Sequence, residues 1–180
     1  MASGGTYNAK VIKASDLAKL LAPPPQGDEA GIVFGKAFEE CFCKATYLYG
    51  RGIDGRRLNK WFCWCVGDFL RSEGFYKSAL VRKAYKMYAC LLHNGIEGRK
   101  PRTEFRPLDE AGRILVSAQP DLVGAFEGGL SYCEFKTYPL DEYAQAQARV
   151  FAWVVRKPIL LVGLREENGF IHAEKAVIPP

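Results

Sequence analysis

Between residues 120 and 137 the chain sets Asp121, Glu134 and Lys136 in two mostly apolar runs separated by Gly128-Gly129. Carboxylates and a lysine are the side chains that hold a divalent cation and neutralise charge at a reacting centre. With Gly128-Gly129 read as a two-residue turn between strands 113–124 and 130–137, Asp121 lies opposite Lys136 and Val123 opposite Glu134. Directly opposed residues share a sheet face, and so do residues two apart on one strand. Asp121, Glu134 and Lys136 therefore converge on one side, while Cys133 and Phe135 point to the other. Burying two carboxylates and an ammonium is costly without compensation, and a cation between the carboxylates supplies it. The plainer alternative is an exposed strand face with an ion pair from Lys136 to Asp121.

Helices must position this hairpin. Phe34, Phe38, Cys41, Ala45 and Leu48 recur at steps of three and four and predict a helix closed by Gly50. Leu58, Phe62, Cys65 and Phe69 repeat the spacing as far as Gly74. A third stripe, Leu80, Ala84, Tyr88 and Leu91, ends at about His93-Asn94-Gly95. Ser15 fits the cap of a short helix over 16–21, which Pro23-Pro24-Pro25 must end, and residues 1–14 read as a flexible or edge segment. After Pro101 the period changes: 103–108, 113–124 and 130–137 read as strands, 141–155 as helix, 159–165 and 170–178 as a final strand pair. The expectation is one α/β domain over 1–180, a sandwich around a mixed sheet, with a helical part at 30–100 and the sheet and its helix at 101–180.

The 180 residues, 48% hydrophobic and 25% charged, suffice for one core and exclude a wholly disordered chain. No apolar run reaches membrane-spanning length, and MASGGTYNAKVIKAS has no apolar signal region, so the expected location is the cytoplasm and no membrane partner is expected. Residues 51–102 hold 12 Lys/Arg against four Asp/Glu, a net of +8; residues 103–143 hold three against eight, a net of −5. A basic block beside an acidic one suits a polyanion next to a cation site, or is solvated surface that happens to segregate. Cys41/Cys43 and Cys63/Cys65 form two CxC pairs inside apolar runs and read as buried free thiols, with metal ligation or a disulfide as alternatives. Only four Asn and four Gln occur, a hint of a hot source, where intracellular disulfides become plausible. His93 and His172 are lone histidines and read as structural or solvent-exposed.

The string AQPDLVGAFEGGLSYCEFKTY resembles the signature of the PD-(D/E)xK nuclease superfamily, with Pro120-Asp121 as its first element and Glu134-Phe135-Lys136 as its second. The resemblance is to the RecB-like branch, which includes the CRISPR-associated adaptation nucleases and viral relatives. Glu104 in TEFRPL stands where that branch has a Glu on the preceding strand, and Gln147-Ala-Arg-Val-Phe151 is similar to its Gln-x-x-x-Tyr motif. Gly35-Lys-Ala-Phe38-Glu39 echoes its Gly-x-x-His-Glu stretch, with Phe38 in place of the His; for Glu39 a solvated helix face is an equal reading. The match runs from about residue 34 to 165, and the chain has no cysteine after Cys133, so no iron–sulfur cluster is implied.

The resemblance implies a restriction-endonuclease-like core and an Mg²⁺- or Mn²⁺-dependent nuclease, exo- or endonuclease, acting on single- or double-stranded DNA in repair, recombination or viral or CRISPR-related processing. Asp121 and Glu134 would hold the metal, with the Phe135 carbonyl and Glu104 completing its shell; Lys136 would act on the attacking water and the developing charge, and Gln147 would position water or phosphate. Arg51, Arg56, Arg57, Lys60, Arg82, Lys83 and Lys86 are the candidate DNA track, and Tyr85, Tyr88, Trp61 and Trp64 either stack on bases or belong to the core. A homo-oligomer is compatible with this reading. The competing class is a non-catalytic nucleic-acid-binding or assembly protein that keeps the fold, which Phe38 favours and the intact Asp121/Glu134/Lys136 set opposes. A metal-binding structural module built on the cysteine pairs ranks third.

Overall fold

The apolar stripes become helices because each has one face to bury. A computed structural model, describing residues 9–180, places α1 at Ala14–Leu21, α2 at Glu29–Tyr49, α3 at Gly55–Ser72 and α4 at Ser78–His93. Asp28 and Asp54 start α2 and α3 by accepting the N–H of Gly31 at 2.8 Å and of Arg57 at 3.1 Å. Residues 1–8 of the segment expected to be flexible or an edge lie outside the described residues, and Lys10–Lys13 form an edge strand, β1. Ser15 sits inside α1 rather than capping it, since Lys13 occupies the cap position.

The strands are β2 (Glu104–Pro107), β3 (Ile114–Ala118), β4 (Leu122–Val123), β5 (Tyr132–Lys136), β6 (Ile159–Glu167) and β7 (Phe170–Ile178). They form two sheets where one was expected: β1-β3-β2 and β4-β5-β6-β7. The reason lies at Pro120. The predicted strand 113–124 breaks at Gln119-Pro120-Asp121, where proline has no N–H for a ladder, and the chain passes there from the first sheet to the second. Each sheet is mixed: β1 is parallel to β3 and β5 parallel to β6, and the remaining pairs are antiparallel. The protein is thus of mixed α/β class.

Parallel neighbours require a crossover, and α5 (Glu142–Val155) provides it between β5 and β6. The centre of the second sheet is buried on both faces, which is why β6 opens with an unbroken buried run from Ile159 to Leu164. Cys133, Phe135, Leu160 and Val162 pack against α2, α3 and α4; Ile159 and Leu161 pack with α5 and α1. The β6–β7 turn at Asn168-Gly169 has φ of 52° and 80°, as a two-residue hairpin of this composition requires. No helix among the described residues is long and apolar enough to cross a membrane.

Candidate active site

The hairpin that carries the acidic residues is tied differently from the two-residue turn. Phe126 and Leu130 are buried and close the loop, Phe126 N–H donating to Leu130 at 3.0 Å around the short 3-10 turn Glu127–Gly129. Leu122 then pairs with Cys133 and Val123 with Tyr132. This register sets Asp121 beside Glu134, not opposite Lys136. A slip of two residues preserves side-chain parity, so the shared face survives while the partners change. Cys133 and Phe135 do point away into the helical core.

Asp121 and Glu134 are 8% and 2% exposed, the buried acids among the described residues. Each is held by the other's strand: Asp121 N–H donates to Glu134 Oε2 at 3.2 Å, and Phe135 N–H donates to Asp121 Oδ2 at 2.9 Å. Lys136 Nζ donates to Glu134 Oε1 at 2.5 Å. Burial pushes the Asp121 carboxyl well above the usual carboxylate range, and the charge of Glu134 pushes it further. Glu134 is raised as well, by burial, against the pull of Lys136. Burial works against the Lys136 ammonium, but Glu134 and Asp121 more than offset it and raise its pKa. The lysine is the counter-ion of the acidic pair.

These three residues open on a cleft of about 780 Å³ between α2, the end of β5 and the start of α5. Gln147 and Phe151 line it from α5, Glu39 and Lys36 from α2, and Lys83 from α4. Gln147 thus lies on the helix after the hairpin and lines the same cleft. Glu104 does not: it is exposed on β2, paired with Ala118 in the other sheet, and does not border the cleft. The break at Pro120 separates its sheet from the hairpin. Glu39, which spacing alone left undecided, is half-buried, borders the cleft, bonds Lys100 at 3.4 Å and adds its repulsion to Asp121 and Glu134. Tyr138 also lines it, its phenol pushed up to about 12 by burial, and no sequence signal had marked it. Phe38 is fully buried, with Phe42, Phe62 and Phe135 rings within 5.9 Å, and presents nothing to the cleft. Of the seven basic candidates only Lys83 reaches it; Arg51 lies over Tyr47, Arg56, Arg57 and Lys60 are exposed on α3, Arg82 is exposed, and Lys86 turns to the β6–β7 turn.

The cysteines depart from the expected set of free thiols. Cys41 of α2 and Cys65 of α3 are joined as a disulfide, leaving Cys43, Cys63, Cys90 and Cys133 free. The spacing of each stripe placed both residues on facing helix sides, where two thiols on neighbouring helices can meet. Cys43 lies beneath the site: its thiol donates to the Asp121 carbonyl at 3.6 Å, and burial pushes its pKa upward.

No three His, Cys, Asp or Glu side chains among the described residues cluster as a ready-made metal cage. The smaller set at the hairpin is all hard oxygen, which suits Mg²⁺ or Mn²⁺ and not a soft ion. Two buried carboxylates whose proton affinity burial raises, Asp121 further so by the charge of Glu134, are the kind of pair a divalent cation relieves. The residues present fit such an ion. Comparison with protein-family models, characterised proteins and solved structures finds no match for this chain.

Proposed function

We propose that this chain is a metal-dependent nuclease of the PD-(D/E)xK type that hydrolyses phosphodiester bonds in DNA on a restriction-endonuclease-like core. The observation that carries the reading is the buried Asp121–Glu134 pair with Lys136 on its outer oxygen, all facing one cleft. A buried acidic pair of this kind costs stability, and a structural role would be served better by apolar residues.

Asp121 and Glu134, with the carbonyl of Phe135, would hold Mg²⁺ or Mn²⁺, which when bound neutralises phosphate charge and makes a water more acidic. Lys136 is held at the cleft by Glu134, positively charged, and so placed to stabilise negative charge growing on a phosphate. Gln147, a neutral donor and acceptor on the opposite wall, orients the water or a phosphate oxygen. Lys36 and Lys83 at the rim attract the polyanion.

The test is incubation of labelled single- and double-stranded DNA with the protein in Mn²⁺, Mg²⁺ or EDTA, beside Asp121→Asn. Divalent-dependent cleavage lost in the variant supports the reading; equal cleavage by the variant removes its basis. The second reading, a DNA-binding protein without cleavage, is favoured by the burial of Phe38 in the aromatic core. Binding without cleavage in every metal would select it.

A further inference from the structure

A second groove of about 790 Å³ lies between α4 and β7. Both histidines of the chain, His93 and His172, line it, together with Lys86, Tyr85 and Phe170. No carboxylate is among the described residues lining it. The acids of the adjoining hairpin are already paired, Glu166 with Lys83 and Glu167 with Arg165. The groove therefore carries one ammonium, Lys86, and imidazole and amide hydrogen-bond donors, with no acid lining it. Its apolar members are aromatic: Phe170 is 70% exposed and Tyr85 39% exposed. Phe170, the first residue of β7, thus leaves most of its ring surface to solvent.

We infer that this groove binds an unpaired DNA strand, stacking bases on Tyr85 and Phe170 while Lys86, His93 and His172 contact its phosphates. Aromatic faces flanked by donors are the recognition chemistry of unpaired nucleic acid, since a duplex hides its base faces. Lys83 and Lys86 sit one helical step apart on α4, one at the cleft and the other at the groove, so a strand crossing α4 meets both. The surface contacts that occupy them, Lys83 with Glu166 at 3.3 Å and Lys86 with the Gly169 carbonyl at 2.7 Å, are of the exposed kind that phosphate displaces readily. The assignment rests on the nuclease reading only for the direction in which the strand continues.

The experiment compares Tyr85→Ala/Phe170→Ala with wild type by fluorescence anisotropy in EDTA, using labelled oligothymidine and a labelled blunt duplex. Oligothymidine affinity should fall about tenfold or more, the scale of losing stacked bases, and duplex affinity should stay within about twofold. Photocrosslinking of iododeoxyuridine-substituted strand to wild type, mapped by mass spectrometry, should label peptides containing Tyr85 or Phe170, and needs no folded variant. Unchanged oligothymidine affinity, equal loss for strand and duplex, or crosslinks confined elsewhere would overturn the proposal. So would a dimer of the free protein that the double substitution dissolves, which assigns the groove to a second copy of this chain. Cleavage in Mn²⁺ is scored on the same preparations: a groove effect without cleavage sinks the nuclease reading alone, and cleavage without a groove effect sinks this one alone.

Discussion

The backbone N–H of Asp121 donates to the carboxylate of Glu134 at 3.2 Å and the Phe135 N–H donates to the carboxylate of Asp121 at 2.9 Å, so each acid is tied to the other's strand and not only through a shared charge. Neither can swing out to solvent without losing one of these hydrogen bonds. Their repulsion is therefore built into the fold and must appear in its stability.

The sign follows from both carboxyls being raised above their ordinary values. Just above the usual carboxylate range the folded chain binds protons that the unfolded chain has released, so stability falls as pH rises through that window. Lys136 is raised too, and its contribution is constant until alkaline pH. In EDTA the melting temperature should drop as pH rises above the usual carboxylate range, and Asp121→Asn should flatten the drop. A wild-type Tm that climbs across this window would contradict the buried, mutually repelling pair.

Divalent cations should act in the opposite direction. At a hundredfold excess over Kd, binding to the folded state alone contributes about 2.7 kcal/mol, or roughly 5–10 °C for a chain of this size. Asp121→Asn should abolish the shift. Calorimetric titration of wild type with Mn²⁺ that releases no heat and moves no Tm would exclude the metal site.

Lys136→Ala should cut cleavage by at least about a hundredfold, the scale of losing one preorganised charge. The pairing of Lys136 with Glu134, instead of Asp121, adds a consequence for folding. Side chains only 13% and 3% exposed are separated by the substitution, leaving a buried carboxylate without its counter-ion. Lys136→Ala should therefore lose about 3–5 kcal/mol at neutral pH, and less where Glu134 takes up a proton. Thermal melts at two pH values decide this: an equal loss at both would show that the ion pair contributes nothing.

The disulfide between Cys41 and Cys65 closes a loop of 24 residues. A crosslink of that span stabilises by about 3 kcal/mol through the unfolded chain. A reductant should lower Tm by roughly 6–12 °C, and Cys41→Ser/Cys65→Ser should melt low with or without it. Alkylation of the unfolded, unreduced protein followed by mass measurement should find four reactive thiols; six would show that the bond does not form.

Helices were legible because Phe34, Phe38, Cys41 and Ala45 repeat at a period that only one local structure satisfies. The site face was legible for a related reason: strand parity survives a slip of two, so Asp121 and Glu134 share a side in either register. What parity cannot fix is the partner. That depended on Phe126 and Leu130 burying themselves to close a longer turn, a tertiary preference invisible in the Gly128-Gly129 pair. Likewise, Pro120 is plain in the sequence, but that it hands the chain to a second sheet depends on where β1 pairs. Lys10–Lys13 carry only Val11-Ile12 as a strand signal and pair with β3. Glu104 was misplaced by the same event, and Glu39 needed the packing of α2 against the end of β5 to be recognised.

The register of β6 gives a last expectation. Gly163 pairs with Lys136, and a Cβ on it would lie 2.7 Å from the Leu140 side chain and 2.8 Å from the Leu140 backbone nitrogen. The glycine thus makes room for the chain that turns from Lys136 to Asp141, the cap of α5. Gly163→Ala must push this turn outward, and with it the start of the helix that presents Gln147 to the cleft. The expected cost is about 1–3 kcal/mol of stability, with a fall in kcat that exceeds any change in DNA affinity. Adding Leu140→Ala removes the side-chain clash but not the backbone one, so it should restore only part of the lost rate. Gly55→Ala is the control, because nothing lies within 4 Å of its added carbon. If Gly163→Ala matches that control in both Tm and kcat, the turn after β5 is not what sets Gln147 against Glu134.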